Sequence, residues 1–257
     1  MAGLTDSPYF LIVLLVSAFA MPLIFVAWIR NTARYAREPW KFVLRAFAWG
    51  AVFSVLIAII FSLVLVATLG QIRPLTEFLA RRYNDPDVVL LILGAVIVAP
   101  IVEEAAKGLG VRAGRSEIQA LVDGLVYGAA AGLGFSATEN LFYGINTLLS
   151  PDGGASASLT VIAIRSFSSS FLHASATAVV GYGLAKSWLT RRASAVLPFY
   201  LVAVIMHATF NLLTTLGQLY VTPYGEAIGF GAALVFAIVA ITVVRSKLAS
   251  RPRPVQR

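Results

Sequence analysis

The chain has 257 residues, of which 59% are hydrophobic and only 12% are charged, and its mean hydropathy is +0.84. A soluble globular domain carries about 25% charged residues, so this composition excludes an ordinary soluble fold. The sequence contains no cysteine, which excludes disulfides, thiolate nucleophiles and cysteine-ligated metal sites. The net charge of +8 does not indicate a nucleic-acid partner, because the basic residues lie between apolar runs, where they orient a membrane protein.

Seven apolar runs are each long enough to cross a bilayer core of about 30 Å as a helix. We therefore predict an all-α integral membrane protein, with residues 1–257 forming one polytopic domain. The first run follows Asp6 and no basic residue, whereas a signal peptide begins with a positive segment, so we expect an uncleaved span. The predicted spans are 9–29, 46–69, 88–108, 120–142, 159–184, 196–217 and 226–244.

The basic residues predict the orientation of the bundle. The connections on one side of the membrane, together with the tail 245–257, hold 15 of the 20 lysines and arginines. The opposite connections hold 3, which are Arg73, Arg81 and Arg82. Because cytoplasmic loops carry the excess of positive charge, we place the N-terminus outside and the C-terminus in the cytoplasm. The tail 245–257 is then a basic cytoplasmic segment that is attracted to anionic lipid.

Ionisable residues within the predicted third span are candidates for a functional site, because such residues are costly in a membrane. Glu103 and Lys107 are four residues apart, so they share a helix face and can pair. Glu104 is adjacent to Glu103, and two adjacent glutamates are not expected to point at the same partner. The alternative is a helix end, at which interfacial carboxylates lie beside a lysine that snorkels.

The fourth span carries Glu139 and Asn140 at the end of a stripe of small residues. Small residues at this spacing let helices approach closely, so the stripe turns Glu139 toward the bundle. Counting from position 120 places Glu139 near the outer face, whereas Glu103 and the histidines fall in the cytoplasmic half. Either the fourth helix starts later, with Asp123 at the interface, or Glu139 does not belong to the same cluster. The stripe consists of Gly124, Gly128, Gly132, Phe135 and Glu139.

The fifth and sixth spans carry the only two histidines of the chain. Arg165, Ser169 and His173 follow a helical period in the fifth span, which indicates a polar face that lines protein or water. Arg165 is expected to stabilise a carboxylate or to snorkel. His207 and Asn211 share a face of the sixth span. Each histidine has a structural alternative, a hydrogen bond within the bundle, but two histidines opposite three intramembrane glutamates favour a site.

Four ordered elements on four spans resemble the PrsW family of intramembrane proteases, distant relatives of the CAAX prenyl endopeptidases. The CAAX enzymes have Arg in place of the lysine and His at the position of Glu139, so their substrate class transfers poorly. The resemblance implies a catalytic core at 85–220 and hydrolysis of membrane-anchored proteins, such as anti-sigma factors, in the bacterial cytoplasmic membrane. The elements are Glu103-Glu104-x-x-Lys107, Phe135-x-x-x-Glu139-Asn140, His173 in a serine-rich helix, and His207-x-x-x-Asn211.

The expected chemistry is activation of water by a carboxylate. Burial disfavours the charged form of a carboxyl group and so makes a carboxylate a stronger base. We expect Glu103 to be the general base, with Glu104 or Lys107 tuning it. No cofactor is required by this mechanism. Zinc stays an alternative, because Glu and His suit zinc, although the His-Glu-x-x-His helix that commonly marks a zinc protease is missing.

The remaining candidates have supporting roles in this mechanism. His173, or His207 with Asn211, is expected to donate to the oxyanion or to orient the water. Glu139 and Asn140 are expected to position the peptide or to carry the second proton transfer. The partners are then the lipid bilayer and a membrane-anchored protein substrate.

Two other function classes use the same residue types. Buried Glu and His residues also build the proton relays of transporters, although no inverted repeat supports a transporter here. A non-catalytic membrane scaffold is the third class. Geometry distinguishes them, because a hydrolase gathers Glu103, His173 and His207 around one cavity, whereas a relay arranges them along the membrane normal.

Overall fold

A computed structural model of the chain describes residues 8–33, 37–220, 222 and 224–250. Its regular structure is helical, and these residues contain no strand. Seven helical segments are long and apolar enough to cross a membrane, which confirms the predicted all-α bundle of seven spans. The spans are Tyr9–Arg30, Trp40–Leu69, Pro86–Glu117, Leu121–Leu149, Ala155–Thr190, Ala193–Thr214 and Gly225–Ala249, numbered here from first to seventh.

Several spans are composite. The second span contains a π-helical turn at Gly50–Ser54, and the third contains one at Ile92–Val98. The fifth is interrupted at Ser168, next to the residues of the candidate site. The helices in chain order are Pro8–Arg30, Trp40–Trp49, Val55–Leu69, Arg73–Tyr83, Pro86–Leu91, Ala99–Gly110, Leu121–Leu149, Ala155–Phe167, Ser169–Thr190, Leu197–Thr214, Leu216–Leu219 and Gly225–Ala249, with 3-10 turns at Val111–Glu117 and Ala193–Val196.

The fourth span lies at the centre of the bundle and is buried along most of its length. Its glycine stripe packs against the backbone of the fifth span, as the spacing predicts. A Cβ atom built on Gly124, Gly128 or Gly132 would overlap a carbonyl oxygen of that span. This contact leaves no room for a side chain, so it brings the polar face of the fifth span directly onto the fourth.

The core extends beyond the third to sixth spans that the polar residues indicate. Phe25 and Ile29 of the first span, and Val43 and Phe47 of the second, belong to the same buried cluster as Leu133 of the fourth. The first two spans contain no candidate site residue. They pack against the central helix, and Phe25 of the first span also contacts Phe171 of the fifth, so apolar burial accounts for their place.

The seventh span is described as far as residue 250. The seventh helix continues to Ala249, and the Nε of Arg245 donates a hydrogen bond of 3.0 Å to Thr32 Oγ1. The Arg245 guanidinium also lies 3.6 Å from the centre of the Trp28 ring. Arg245 therefore ties the seventh span to the end of the first, and residues 251–257 of the predicted tail lie outside the described residues.

Candidate active site

The third span places both glutamates beside one lysine. Lys107 Nζ lies 2.6 Å from Glu104 Oε1 and 3.5 Å from Glu103 Oε2. The expectation that adjacent glutamates do not point at one partner is wrong here. Positions i+3 and i+4 lie on the same helix face, and the long lysine side chain reaches between the two carboxylates. With four further residues from other spans, these three side chains form what we call the Glu103 cluster: Glu103, Glu104, Lys107, Glu139, Arg165, His173 and His207.

Glu104 is the buried anchor of the cluster. Its side chain is completely buried, and its carboxylate accepts hydrogen bonds of 2.9 Å from Thr177 Oγ1 and from the ring Nδ1 of His207. Because Lys107 pairs with the same carboxylate, Glu104 joins the third, fifth and sixth spans. Its hydrogen bond also orients the His207 ring, whose Nε2 is turned toward Glu103 Oε2 at 3.8 Å.

His173 lies between a cation and an anion. Lys107 Nζ donates to His173 Nδ1 over 2.9 Å, and His173 Nε2 lies 2.9 Å from Glu139 Oε2. An ammonium group can only donate, so the neutral ring carries its proton on Nε2 and donates it to Glu139. The rings of His173 and His207 meet at right angles, with centroids 4.9 Å apart. Both histidines are buried, and their hydrogen bonds to Lys107 and Glu104 favour one tautomer of each ring.

Glu139 belongs to the same cluster as Glu103 and the two histidines. The fourth helix begins at Leu121 and continues to Leu149, past the expected end at 142, and Glu139 Oε2 lies beside His173 Nε2 within it. The Arg165 guanidinium lies 2.7 Å from Glu139 Oε2. Arg165 therefore stabilises a carboxylate, which is one of its two predicted roles, and Asn140 holds it by accepting a hydrogen bond of 3.1 Å from its Nε.

Two aromatic side chains complete the surroundings. The Phe135 ring lies 4.6 Å from Lys107 Nζ and 5.3 Å from the His173 ring, so it packs on the buried cation. The Tyr143 ring lies 3.7 Å from the guanidinium carbon of Arg165. Sequence reasoning missed Tyr143, although it lies four residues after Glu139 and continues the same helix face.

Asn211 reaches the π-helical turn of the third span. Its Nδ2 donates a hydrogen bond of 2.7 Å to the carbonyl oxygen of Ala95, within Ile92–Val98. A π-helical turn disturbs the regular backbone ladder, and such turns are common at functional sites. One amide hydrogen of Asn211 is thus bound to the backbone of the third span. The second can be donated to another acceptor in the cavity that Asn211 lines.

Two cavities meet at Glu103 and Glu139. One has a volume of about 440 Å³ and is lined by residues of the third to the seventh spans, among them His173 and Asn211. The other has a volume of about 240 Å³ and lies against the second span. Ala99, Glu103 and Glu139 line both cavities. The side chains of Glu103 and Glu139 are 12% and 24% exposed, whereas that of Glu104 is 0%, so these two carboxylates are accessible and the third is not.

Comparison of the sequence with known proteins identifies the family of the chain. A sequence profile described as PrsW family intramembrane metalloprotease matches residues 38–244. The chain belongs to the PrsW family. It is 30% identical over 130 residues to a curated relative, Protease PrsW of Clostridioides difficile (strain 630). That match covers 47% of this chain and 46% of the relative, so the chain spans about half the length of the curated relative. No solved structure matches the chain.

The PrsW family description includes a metal ion, and one group among the described residues has suitable ligands. The ligand atoms of Glu103, His173 and His207 lie within 4.8 Å of one another. His207 fits a metal ligand, because a carboxylate holds its Nδ1 and leaves Nε2 directed at Glu103, as around metal-bound histidines. His173 does not fit in this arrangement, because Lys107 occupies Nδ1 and Nε2 donates to Glu139. In this arrangement the three residues offer one ring nitrogen without a hydrogen bond to any described residue, Nε2 of His207, while both ring nitrogens of His173 are hydrogen-bonded.

The arrangement also bears on the transporter alternative. Glu103, His173 and His207 are gathered at one depth, around the cavities that Glu103 and Glu139 line. A proton relay requires such groups in succession along the membrane normal. In this PrsW family member the three side chains are instead gathered in one compact cluster.

Proposed function

We propose that this multi-pass membrane protein is an intramembrane endopeptidase that hydrolyses membrane-anchored proteins with a water molecule activated by Glu103. The observation that supports the proposal is that two adjacent glutamates differ in accessibility. Glu103 reaches two cavities, while Glu104 is buried and binds Lys107, Thr177 and His207. In this proposal 85–220 is the catalytic core and the bacterial cytoplasmic membrane is the location.

Glu103 is the general base in the reaction. Its carboxylate takes a proton from the water, and the hydroxide oxygen bonds to the carbonyl carbon of the scissile peptide. His207 Nε2, with its lone pair directed at Glu103, accepts a hydrogen bond from the same water and orients it. When the carbon–nitrogen bond breaks, Glu103 returns its proton to the leaving nitrogen, so the carboxylate is regenerated.

The negative charge that develops on the carbonyl oxygen requires a hydrogen-bond donor. The second amide hydrogen of Asn211 supplies one in the larger cavity. Glu139 lies across that cavity, held by His173 and Arg165, and positions the peptide backbone by accepting from its N–H groups. Asn140 acts through Arg165 and does not contact the substrate.

The smaller cavity indicates where a membrane-anchored substrate enters. Its wall includes Ile59 of the second span and Phe142 of the fourth, and both side chains are exposed on the apolar surface of the bundle. A segment in the bilayer therefore has an apolar route to Glu103. Single-span proteins with a cleavable segment in the membrane, such as anti-sigma factors, are the substrate class that this route and the family resemblance support.

Reconstitution tests the proposal. The purified protein and a single-span anti-sigma factor, tagged at both ends, are placed in the same liposomes, and products are identified by mass spectrometry. We expect cleavage within or beside the span of the substrate. A dye that reports internal pH is enclosed in the same liposomes, and proton flux without cleavage would support the transporter alternative instead.

Metal removal decides the role of the histidines. Because His173 is held by Lys107 and Glu139, we expect cleavage to persist after treatment with a chelator. His207→Ala is expected to inactivate the protein, and added zinc is not expected to restore it. Complete loss of wild-type activity with chelator, reversed by one added metal, would instead make Glu103 and the histidines metal ligands.

A further inference from the structure

A second pair of cavities lies at the end of the third span, away from the Glu103 cluster. One cavity, of about 300 Å³, is formed by the third, fifth and sixth spans and has Arg112, Arg115 and Trp188 in its wall. The other, of about 460 Å³, has Arg45, Trp49 and Arg112 in its wall. Leu109 and Arg112 line both cavities, so the two adjoin at the helix end, and we call them together the cleft.

The cleft combines an apolar wall with unpaired positive charge. Val180, Leu184 and Leu197 form the apolar side of the first cavity. The arginines of the cleft, Arg45, Arg112 and Arg115, are exposed, and no carboxylate among the described residues forms an ion pair with them. Neither cavity has an acidic residue in its wall.

Two tryptophan rings lie beside the arginines at this end of the bundle. The Arg115 guanidinium carbon lies 5.2 Å from the centre of the Trp188 ring. Trp49 donates a hydrogen bond of 3.1 Å from Nε1 to the carbonyl oxygen of Ala106 and lines the second cavity. Tryptophan is enriched at the membrane–water interface, so the arginines are placed where phosphate groups lie.

We propose that this cleft binds one anionic phospholipid, with its phosphate on Arg112 and Arg115 and an acyl chain along Leu184 and Leu197. Guanidinium groups bind phosphate through paired hydrogen bonds, and an apolar groove beside them suits a lipid chain better than a free ion. A zwitterionic headgroup would bring a second cation among the arginines and is disfavoured. The excess of basic residues assigns this end to the cytoplasmic side, where anionic lipids attract basic segments.

The proposal does not depend on the protease assignment, and lipid retention tests it. The protein is purified from nanodiscs of equal phosphatidylglycerol and phosphatidylcholine, and retained lipid is counted by native mass spectrometry. Wild type should retain phosphatidylglycerol preferentially. Arg112→Gln/Arg115→Gln should lower that preference by roughly fivefold for each arginine, the effect of one basic side chain near an anionic membrane. A double variant with unchanged preference would overturn the proposal.

Two further variants separate a bound lipid from general charge attraction. Arg191→Gln/Arg192→Gln removes two exposed charges from the same expected side, outside the cleft, and should keep the preference. Ala105→Trp keeps Arg112 and Arg115 but fills the first cavity from the exposed face of the third span, and it should lose the preference.

Inorganic phosphate is the alternative ligand, because it offers the arginines the same phosphate group without a lipid chain. Phosphate at millimolar concentration should not displace the retained phosphatidylglycerol, because it lacks the acyl chain. Displacement by phosphate, together with an Ala105→Trp variant that behaves as wild type, would make the cleft a phosphate-ion site and overturn the lipid proposal. Loss of preference in the Arg191→Gln/Arg192→Gln control would likewise overturn it, because general charge attraction would then account for the retention.

Discussion

Two buried polar groups in this molecule look alike at first and differ in one respect. The Glu38 cluster, formed by Arg30, Glu38 and Tyr127, lies near the ends of the first and second spans. Tyr127 donates a hydrogen bond of 2.6 Å to Glu38 Oε2, and the Nε of Arg30 donates one of 2.6 Å to the Glu38 carbonyl oxygen. Tyr127 is 0% exposed and Glu38 is 5% exposed. The Glu103 cluster is equally rich in short polar contacts, yet two of its carboxylates line cavities.

The difference shows that burial and strong hydrogen bonds do not by themselves identify a reactive site. Both clusters satisfy polar groups that would otherwise be costly away from water. In the Glu38 cluster, hydrogen bonding joins the loop before the second span to the central helix. In the Glu103 cluster, the same kind of bonding holds Glu103 and Glu139 at a cavity wall. The candidate active site is distinguished by carboxylates that are held in place by hydrogen bonds and are still accessible from a cavity.

The largest expected effect tests the accessible carboxylate. Glu103→Gln keeps the size of the side chain and removes the base, so cleavage of the reconstituted substrate should fall by roughly 100-fold or more. The folded protein should be retained, because a neutral amide costs less to bury than a carboxylate. Glu226→Gln, an exposed glutamate of the seventh span, is the control and should cleave normally. A folded Glu103→Gln protein with a normal rate would remove Glu103 as the base and point to Glu139.

A smaller effect is expected where helix packing places the cluster. A Cβ on Gly132 would overlap the backbone carbonyl of His173, so Gly132→Ala must move the fifth span. A displacement of about 1 Å can cost roughly 100-fold in rate, and we expect a loss of about 10- to 100-fold in cleavage. Gly231→Ala is the matched control, because a Cβ there meets open space. Equal activity of the two variants would show that the position of His173 does not limit the reaction.

The smallest expected effect concerns the Glu38 cluster. Tyr127→Phe removes the donor to Glu38 and leaves a buried carboxylate oxygen without it, which should lower the stability of the folded protein by about 1–3 kcal/mol. Thermal unfolding in detergent measures the change, and Tyr224→Phe, at a side chain that is 72% exposed, is the control. The cleavage rate of the folded fraction should be unchanged. A loss of rate without a loss of stability would show that the Glu38 cluster takes part in the reaction. It would contradict the conclusion that only the Glu103 cluster is reactive.

The sequence by itself determined the membrane architecture and the faces of the helices. Apolar runs long enough to cross a bilayer are a local property, so seven spans follow from composition alone. The side-chain period of a helix is local as well, which is why the inward faces of Glu103, Glu139 and His173 could be predicted. The glycine stripe indicated a close approach to another helix, and the fifth span makes that approach. Orientation of the termini stays a prediction from charge.

Only the tertiary structure decided which of the two adjacent glutamates is accessible. Glu104 is buried by Thr177 and His207, which are far away in the sequence and lie on other spans, and no local pattern encodes such contacts. The depth of Glu139 depended on where the fourth helix ends, and apolar residues on both sides of that point conceal the end. Tyr143 became visible only when Arg165 was placed beside it. In each case packing between distant segments, rather than any residue type, determined what the side chain can do.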